Sequence, residues 1–259
     1  MTGSHHAVVA DQYGPRAGDY VSSAVHAGGE DLDRIAEILR ARAPARLLDL
    51  GCGGGHVAYR AAPHAGEVVA LDLTAEMLEA VARTAGERGL RNIAVRQGAA
   101  EALPFPDGGF DAVVSRFSVH HWRDAEAGLR EARRVLAPGG LAVFADVVAP
   151  ETPLFDTHLQ AVELLRDPSH VRDYAASEWM GMLARAGFTV TGATRRRMRM
   201  EFASWTARTR TPPDHARAIR SLQALAPAET RAHFAIEPDG SFTIDAMTFE
   251  AIPAGTGAV

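Results

Sequence analysis

The sequence predicts an α/β fold in which a largely parallel sheet is covered by helices on both faces. Three observations predict it. Short apolar runs alternate with helical patterns along residues 45–148. The runs are near-continuously apolar, as strands buried on both faces are. The first run feeds a glycine-rich turn, Gly51-Cys52-Gly53-Gly54-Gly55, that opens onto a helical pattern. A chain of 259 residues, 47% hydrophobic and 23% charged, can bury one substantial core.

The elements follow in order. In "EDLDRIAEILRARAP", Leu32, Ile35, Ile38 and Leu39 recur at helical spacing with charges between them, and Pro44 follows the end. Strand runs are "ARLLDL" (45–50), "GEVVALD" (66–72), "NIAVRQ" (92–97), "FDAVVS" (110–115) and "GLAVFADVV" (140–148). Between them, one helix opens at Thr74 and stops at Gly89, and another opens at Asp124 and stops at Pro138-Gly139-Gly140. Beyond residue 150 the pattern gives two helices, the second ended by Gly187, and then strand-like runs at 188–200 and 241–252. Residues 211–240 read as short helices with no assigned chemistry.

The spelling of the turn bears on the cofactor. A dinucleotide site requires G-x-G-x-x-G, and position 56 is His. What stands here is an acidic residue, Asp49, then G-x-G-x-G across Gly51, Gly53 and Gly55. A carboxylate at a strand end suits an ammonium group, and glycines admit close backbone approach, which favours S-adenosyl-L-methionine over a phosphate-bearing nucleotide. Asp72, at the end of the second strand, is placed to accept both ribose hydroxyls, a role common to NAD and S-adenosylmethionine sites. Leu73 and Met77 are candidates to cover adenine, and the loop Gly98-Ala99-Ala100-Glu101 offers backbone amides to it.

Together "LLDLGCGGG", "ALD", "GAAEALPFPDGGFDAVVS", "VHHW" and "EARRVLAPGGLAVFAD" resemble the class I S-adenosylmethionine-dependent methyltransferases. The branch is that of the type 11 enzymes and the ubiquinone/menaquinone-biosynthesis C-methyltransferases, and the likeness spans roughly residues 10 to 190. It implies a Rossmann-like, doubly wound, seven-stranded sheet with the last strand antiparallel. It also implies cofactor contacts at Asp49, Gly51, Gly53, Gly55, Asp72, Ala99, Ala100 and Glu101, with Arg116, Phe117 and Ser118 beside the methionine moiety. The chain departs from the family at Gln97-Gly98-Ala99-Ala100, where relatives often carry an Asp near the adenine amine. Residues 1–44 resemble the family's helical lid, which assigns Tyr20 to the cofactor and Tyr13 and His26 to the acceptor. Residues 45–259 then form the methyltransferase domain, with a substrate-facing insertion at about 150–180.

His120 and His121 follow the fourth strand at the edge where open α/β sheets bind ligands, so either is a candidate general base; the alternative is that they order a loop. His170, Arg172 and Tyr174 lie between the two late helices and are candidates to face substrate, or else pack a loop. No metal-ligand set is recognisable, and Cys52 reads as a small residue in a tight turn. "RRRMRM" (195–200) reads as a solvated strand end with Arg195, Arg197 and Arg199 on one face.

A net charge of −5 gives no footprint for nucleic acid or an anionic membrane, and the Asn/Asp-Pro-Pro-aromatic segment of amino-group nucleic-acid methyltransferases is absent after strand four. Neither a signal peptide nor a membrane span is read, so a cytoplasmic protein is expected. The expected reaction is methyl transfer to O, N or C of a small molecule. An NAD(P)-dependent oxidoreductase and a non-catalytic S-adenosylmethionine sensor stand as alternatives, and no oligomeric state is read.

Overall fold

The five apolar runs of the first half become five parallel strands. The computed structural model describes residues 4–18 and 28–255. Its elements are α1 (His5–Tyr13), α2 (Glu30–Arg42), β1 (Arg46–Leu50), α3 (His56–Ala61), β2 (Glu67–Asp72), α4 (Ala75–Glu87), β3 (Ile93–Gln97), β4 (Phe110–Arg116), α5 (Ala125–Val135) and β5 (Leu136–Ala149). They continue as α6 (Pro153–Arg166), β6 (Tyr174–Ala175), α7 (Ala176–Arg185), β7 (Phe188–Met200), α8 (Phe202–Arg208), α9 (Pro213–Leu225), α10 (Ala228–His233) and β8 (Phe242–Pro253).

The sheet runs β3-β2-β1-β4-β5-β8-β7. All its pairs are parallel except those of β8, which lies antiparallel between β5 and β7. The seven-stranded path with an antiparallel last strand therefore stands, with one addition. β6 pairs with the last two residues of β5, beyond the point where β4 stops. Strand order reverses between β1 and β4, so their carboxyl ends diverge into a crevice.

Side-chain period two sorts the layers. Leu48 and Leu50 of β1 pack with α5 and α7 on one face, through Leu129, Trp179 and Leu183. Leu47 packs with α2, α3 and α4 on the other, through Ile35, Leu39, Val57, Leu78 and Val81. Within 1–44, α2 is thus part of the sheet's covering layer, and α1 is the helix that borders the crevice.

The strand at residues 136–149 begins four residues earlier than its apolar run, because Leu136 pairs with Phe110 across a register shift. Residues 211–240 carry α9 and α10. Ile219 of α9 and Phe234 pack on Leu159 and Val162 of α6 and on Trp205 of α8, closing a second core beyond the end of β5. Among the described residues no helix is long and apolar enough to cross a membrane.

Ile219 is fully buried. Ile219→Ala should lower unfolding stability by about 2–5 kcal/mol in urea titration; an unchanged midpoint would show that α9 is only loosely attached.

Candidate functional site

The glycine turn is built by close approaches. Gly51, Gly53 and Gly55 all adopt positive φ (73°, 48° and 79°). A Cβ on Gly51 would fall 1.9 Å from Ser118 Oγ, and one on Gly55 would fall 2.8 Å from the Tyr59 ring. The turn is tied to β2: the Gly51 and Cys52 amides both donate to the Leu71 carbonyl at 2.9 Å, and the Gly53 amide donates to Asp72 Oδ2 at 2.8 Å. Gly51 and Gly53 face the crevice, whereas Gly55 lies off its wall and serves the turn that starts α3. The Cys52 thiol is buried and held well above its ordinary pKa by desolvation, then by Asp72 and Asp49, which makes it unreactive.

Two carboxylates stand at the ends of β1 and β2. Asp49 shares the face of Leu47 and accepts the amide of Ala58, in the first turn of α3, at 3.0 Å. Burial, opposed by that hydrogen bond and reinforced by Asp72, pushes Asp49 up to about 7. Asp72 accepts amides from Gly53 and Thr74, and burial raises its pKa too. Thr74 stands at the helix start as its spacing predicts, but its side chain makes no capping hydrogen bond, and its own amide donates to Asp72. Leu73, Met77, Ala99, Ala100 and Glu101 line the same wall. Glu101 is also engaged by His6 of α1, at 3.6 Å, and by the Asp124 amide.

Arg116, Phe117 and Ser118 form the turn after β4. Phe117 has φ 51°, and the guanidinium carbons of Arg116 and Arg196 lie 4.8 and 5.6 Å from its ring centroid. Both arginines reach the buried Asp31 of α2, at 2.5 and 3.0 Å. Arg196 corrects the reading of 195–200 as a solvated strand end. Arg195 and Arg197 pair with Asp245 and Arg199 with Glu237 on the half-exposed face, while Arg196 turns inward to Asp31 and the cavity. The period of two along that run carried the signal.

His120 and His121 occupy a short turn after β4 and have opposite environments. Asp146 of β5 accepts the Val119 amide at 2.9 Å and His120 Nδ1–H at 2.6 Å. Burial alone would lower the His120 pKa, but the charge and hydrogen bond of Asp146 raise it to about 9. Burial and the His120 cation press His121 down to about 3. His121 is knit into α1 and the loop after α6. Its Nε2 lies 2.9 Å from the Tyr13 hydroxyl, which donates to Asp167 at 2.6 Å, and its Nδ1 meets Ser169 at 3.2 Å. Tyr13, His120 and His121 all border the cavity; Tyr20 and His26 lie outside the described residues.

His170, Arg172 and Tyr174 do not line the cavity. His170 bonds Gln160, Arg172 pairs with Asp156 and Glu178, and Tyr174 sits in β6. The segment is extended, so 172 and 174 point one way and 173 the other. Asp173 is the residue that reaches the cavity, with Glu163 and Arg166 of α6. No sequence signal singled out Asp146, Glu163 or Asp173. Among the described residues no cluster of three or more His, Cys, Asp or Glu could hold a metal ion.

Asp49, Asp72, Glu101, Arg116, His120, His121 and Asp173 border one cavity of about 700 Å³. Away from the glycine turn its lining combines Val147, Met198, Met200, Trp205 and Ile244 with the charged Glu163, Arg166, Asp173, Arg196 and Arg208. A cavity at the switch point of a sheet whose last strand is antiparallel is the architecture of class I methyltransferases, which use S-adenosylmethionine in general. The chain belongs to that family: residues 48–144 match the type 11 methyltransferase domain. It is 36% identical to the uncharacterized methyltransferase YcgJ of Bacillus subtilis, over 84% of this chain and 86% of that one. It is 46% identical to the uncharacterized protein YafE of Escherichia coli K12, over 78% and 97%. The crystal structure of YcgJ superposes with a TM-score of 0.82 at 33% identity, covering 86% of this chain and 98% of that one. Demethylmenaquinone methyltransferase of Thermus thermophilus is 41% identical over 47% of this chain and 56% of its own length.

Gly51→Ala should destabilise the fold by about 1–3 kcal/mol in chemical denaturation, since the added Cβ overlaps Ser118 at a left-handed φ; wild-type stability would mean the two turns are not in contact. The His120 ring should titrate near 9 by NMR, and Asp146→Asn should bring that value below the ordinary 6.5. Because its folded pKa is raised, the contribution of His120 to stability is full below pH 6.5 and is lost as pH rises through about 9. The stability difference between wild type and His120→Gln reads that loss directly.

Proposed function

We propose that the protein is an S-adenosylmethionine-dependent methyltransferase acting on O, N or C of a small molecule. The observation that carries the reading is the pair of buried carboxylates, Asp49 and Asp72, set in one cavity wall beside the glycine turn. Both are pushed toward neutrality by burial, a cost that a positively charged or hydroxyl-rich guest relieves. Among the described residues nothing comes within 4 Å of the position a Cβ would take at Gly53 on the same wall. These residues fit S-adenosylmethionine. Asp49 suits its ammonium group, Asp72 its ribose hydroxyls, and Leu73, Met77, Ala99 and Ala100 its adenine.

When bound there, the cofactor supplies an electrophilic methyl group. The protein's part is to hold the acceptor in line and exclude water, an effect that can supply roughly 7–11 kcal/mol. Of the two histidines, His120 is the better base. Its Nδ1 is held by Asp146 and its Nε2 makes no hydrogen bond among the described residues, whereas both ring nitrogens of His121 are engaged. Nε2 of neutral His120 takes the proton that an O–H or N–H acceptor loses, and Asp146 stabilises the imidazolium that results. Since His120 is charged at pH 7, turnover on such an acceptor rises with pH toward 9.

The likeness to demethylmenaquinone methyltransferase covers less than half of this chain, so no acceptor is transferred from it. The negative net charge and the concave, partly apolar cavity favour a small molecule over nucleic acid.

Isothermal titration with S-adenosylmethionine, S-adenosylhomocysteine and NADH in parallel tests the reading. Binding of the first two without heat from NADH supports it, and the reverse overturns it. Asp72→Ala should weaken S-adenosylmethionine binding by about 1.5–3 kcal/mol; unchanged affinity would remove Asp72 from the ribose contact. The affinity of the cationic cofactor should rise as pH passes through about 7, where Asp49 loses its proton, and Asp49→Asn should flatten that profile.

A further inference from the structure

Asp173, between α6 and β6, is a polar group that the cofactor half does not use. It is 1% exposed and borders the cavity, yet among the described residues neither carboxylate oxygen has a hydrogen-bond partner. Its backbone is clamped on both sides by Gln160, which accepts its N–H at 3.1 Å and donates to its carbonyl at 2.7 Å. A buried carboxyl group without a partner is costly, and one held rigidly in that state marks a position reserved for something outside the protein. The neighbouring charges are already matched. Glu163 accepts from Arg166 at 3.0 Å, and Asp146 holds His120. The cavity wall beyond them carries the apolar side chains of Val147, Met198, Trp205 and Ile244, with Arg196 and Arg208 on the same cavity.

We propose that Asp173 anchors the methyl-acceptor subsite by binding a hydroxyl or ammonium group on an otherwise apolar small molecule. The proposal rests on the methyltransferase reading and names its substrate class. Burial, then Glu163, raises the pKa of Asp173 well above the ordinary carboxyl range, against the pull of the His120 cation. A protonated carboxyl both donates and accepts, which suits a hydroxyl; an ammonium group takes the ionised form. His120, on the same cavity and electrostatically coupled to Asp173, is then near the group that Asp173 holds.

The test is calorimetric titration of the full chain, saturated with S-adenosylhomocysteine, using three probes of one shape: 2-phenylethanol, 2-phenylethylammonium and propylbenzene. At least one donor probe should bind about tenfold tighter than propylbenzene, the ratio expected for a hydrogen bond to a buried carboxyl group. Asp173→Ala should erase that ratio. Asp173→Asn should keep a preference for the alcohol and lose one for the ammonium, which tells the two acceptor types apart. Both variants should bind S-adenosylhomocysteine within about twofold of wild type, which a collapsed site would not do.

If neither donor probe outbinds propylbenzene on the wild-type protein, the proposal is overturned without recourse to any variant. A preference that survives Asp173→Ala overturns it as well. Failure of S-adenosylhomocysteine to bind would count against the methyltransferase reading alone, since the probes can be titrated into the protein by itself.

Discussion

The cavity depends on one contact, the approach of the turn after β1 to the turn after β4 at Gly51 and Ser118. The contact leaves no room for a side chain at 51, and it is held from behind. Ser118 Oγ accepts the indole N–H of Trp122 at 3.0 Å, and Trp122 lies so close to α5 that a Cβ on Gly128 would fall 2.3 Å from its ring. Two glycines far apart in sequence thus let β1, β4 and α5 converge where the sheet order reverses. The crevice opens there because the two turns part immediately beyond the contact.

The buried acids around that crevice are satisfied in graded ways. Asp31 has two guanidinium groups, Asp146 has an imidazolium and two backbone amides, and Asp49 and Asp72 have amides alone. Asp173 has no hydrogen-bond partner among the described residues. Burial raises the pKa of Asp49, Asp72 and Asp173, and amide donors offset it only in part at the first two. Electrostatic need therefore increases from the scaffold toward the ligand-facing walls, and a guest finds its complement where the protein supplies least.

Much of this was legible in the sequence, for physical reasons that differ by element. The parallel strands were legible because burial on both faces enforces unbroken apolar runs, and the glycine turn because a left-handed backbone and a close approach permit little else. Asp49 and Asp72 could be placed because a residue at a strand end next to such a turn has few places to go. Asp146 and Asp173 were not legible. Each is an ordinary acid in an ordinary segment, and its role arises only when β5 passes behind the His120 turn or when an extended stretch turns one residue of three inward. Arg172 and Tyr174 drew attention by residue type, yet strand periodicity assigns the inward direction to Asp173. Arg196 shows the same parity on β7, where alternation sends three of its neighbours to Asp245 and Glu237.

The position of β8 has a consequence for how the molecule is assembled. Among the described residues β7 joins the rest of the sheet through β8, which follows every other described strand in sequence and pairs with β5 on its other side. β1 to β5 can zip together as they emerge from the ribosome, but β7, which carries Arg196, Met198 and Met200, has no described strand to pair with until residues 242–253 have been synthesised. The pocket's two halves therefore mature at different times, and the nascent protein passes through a stage in which β5 has an open edge. Its vulnerability to aggregation lies in that interval, before the final strand closes the sheet.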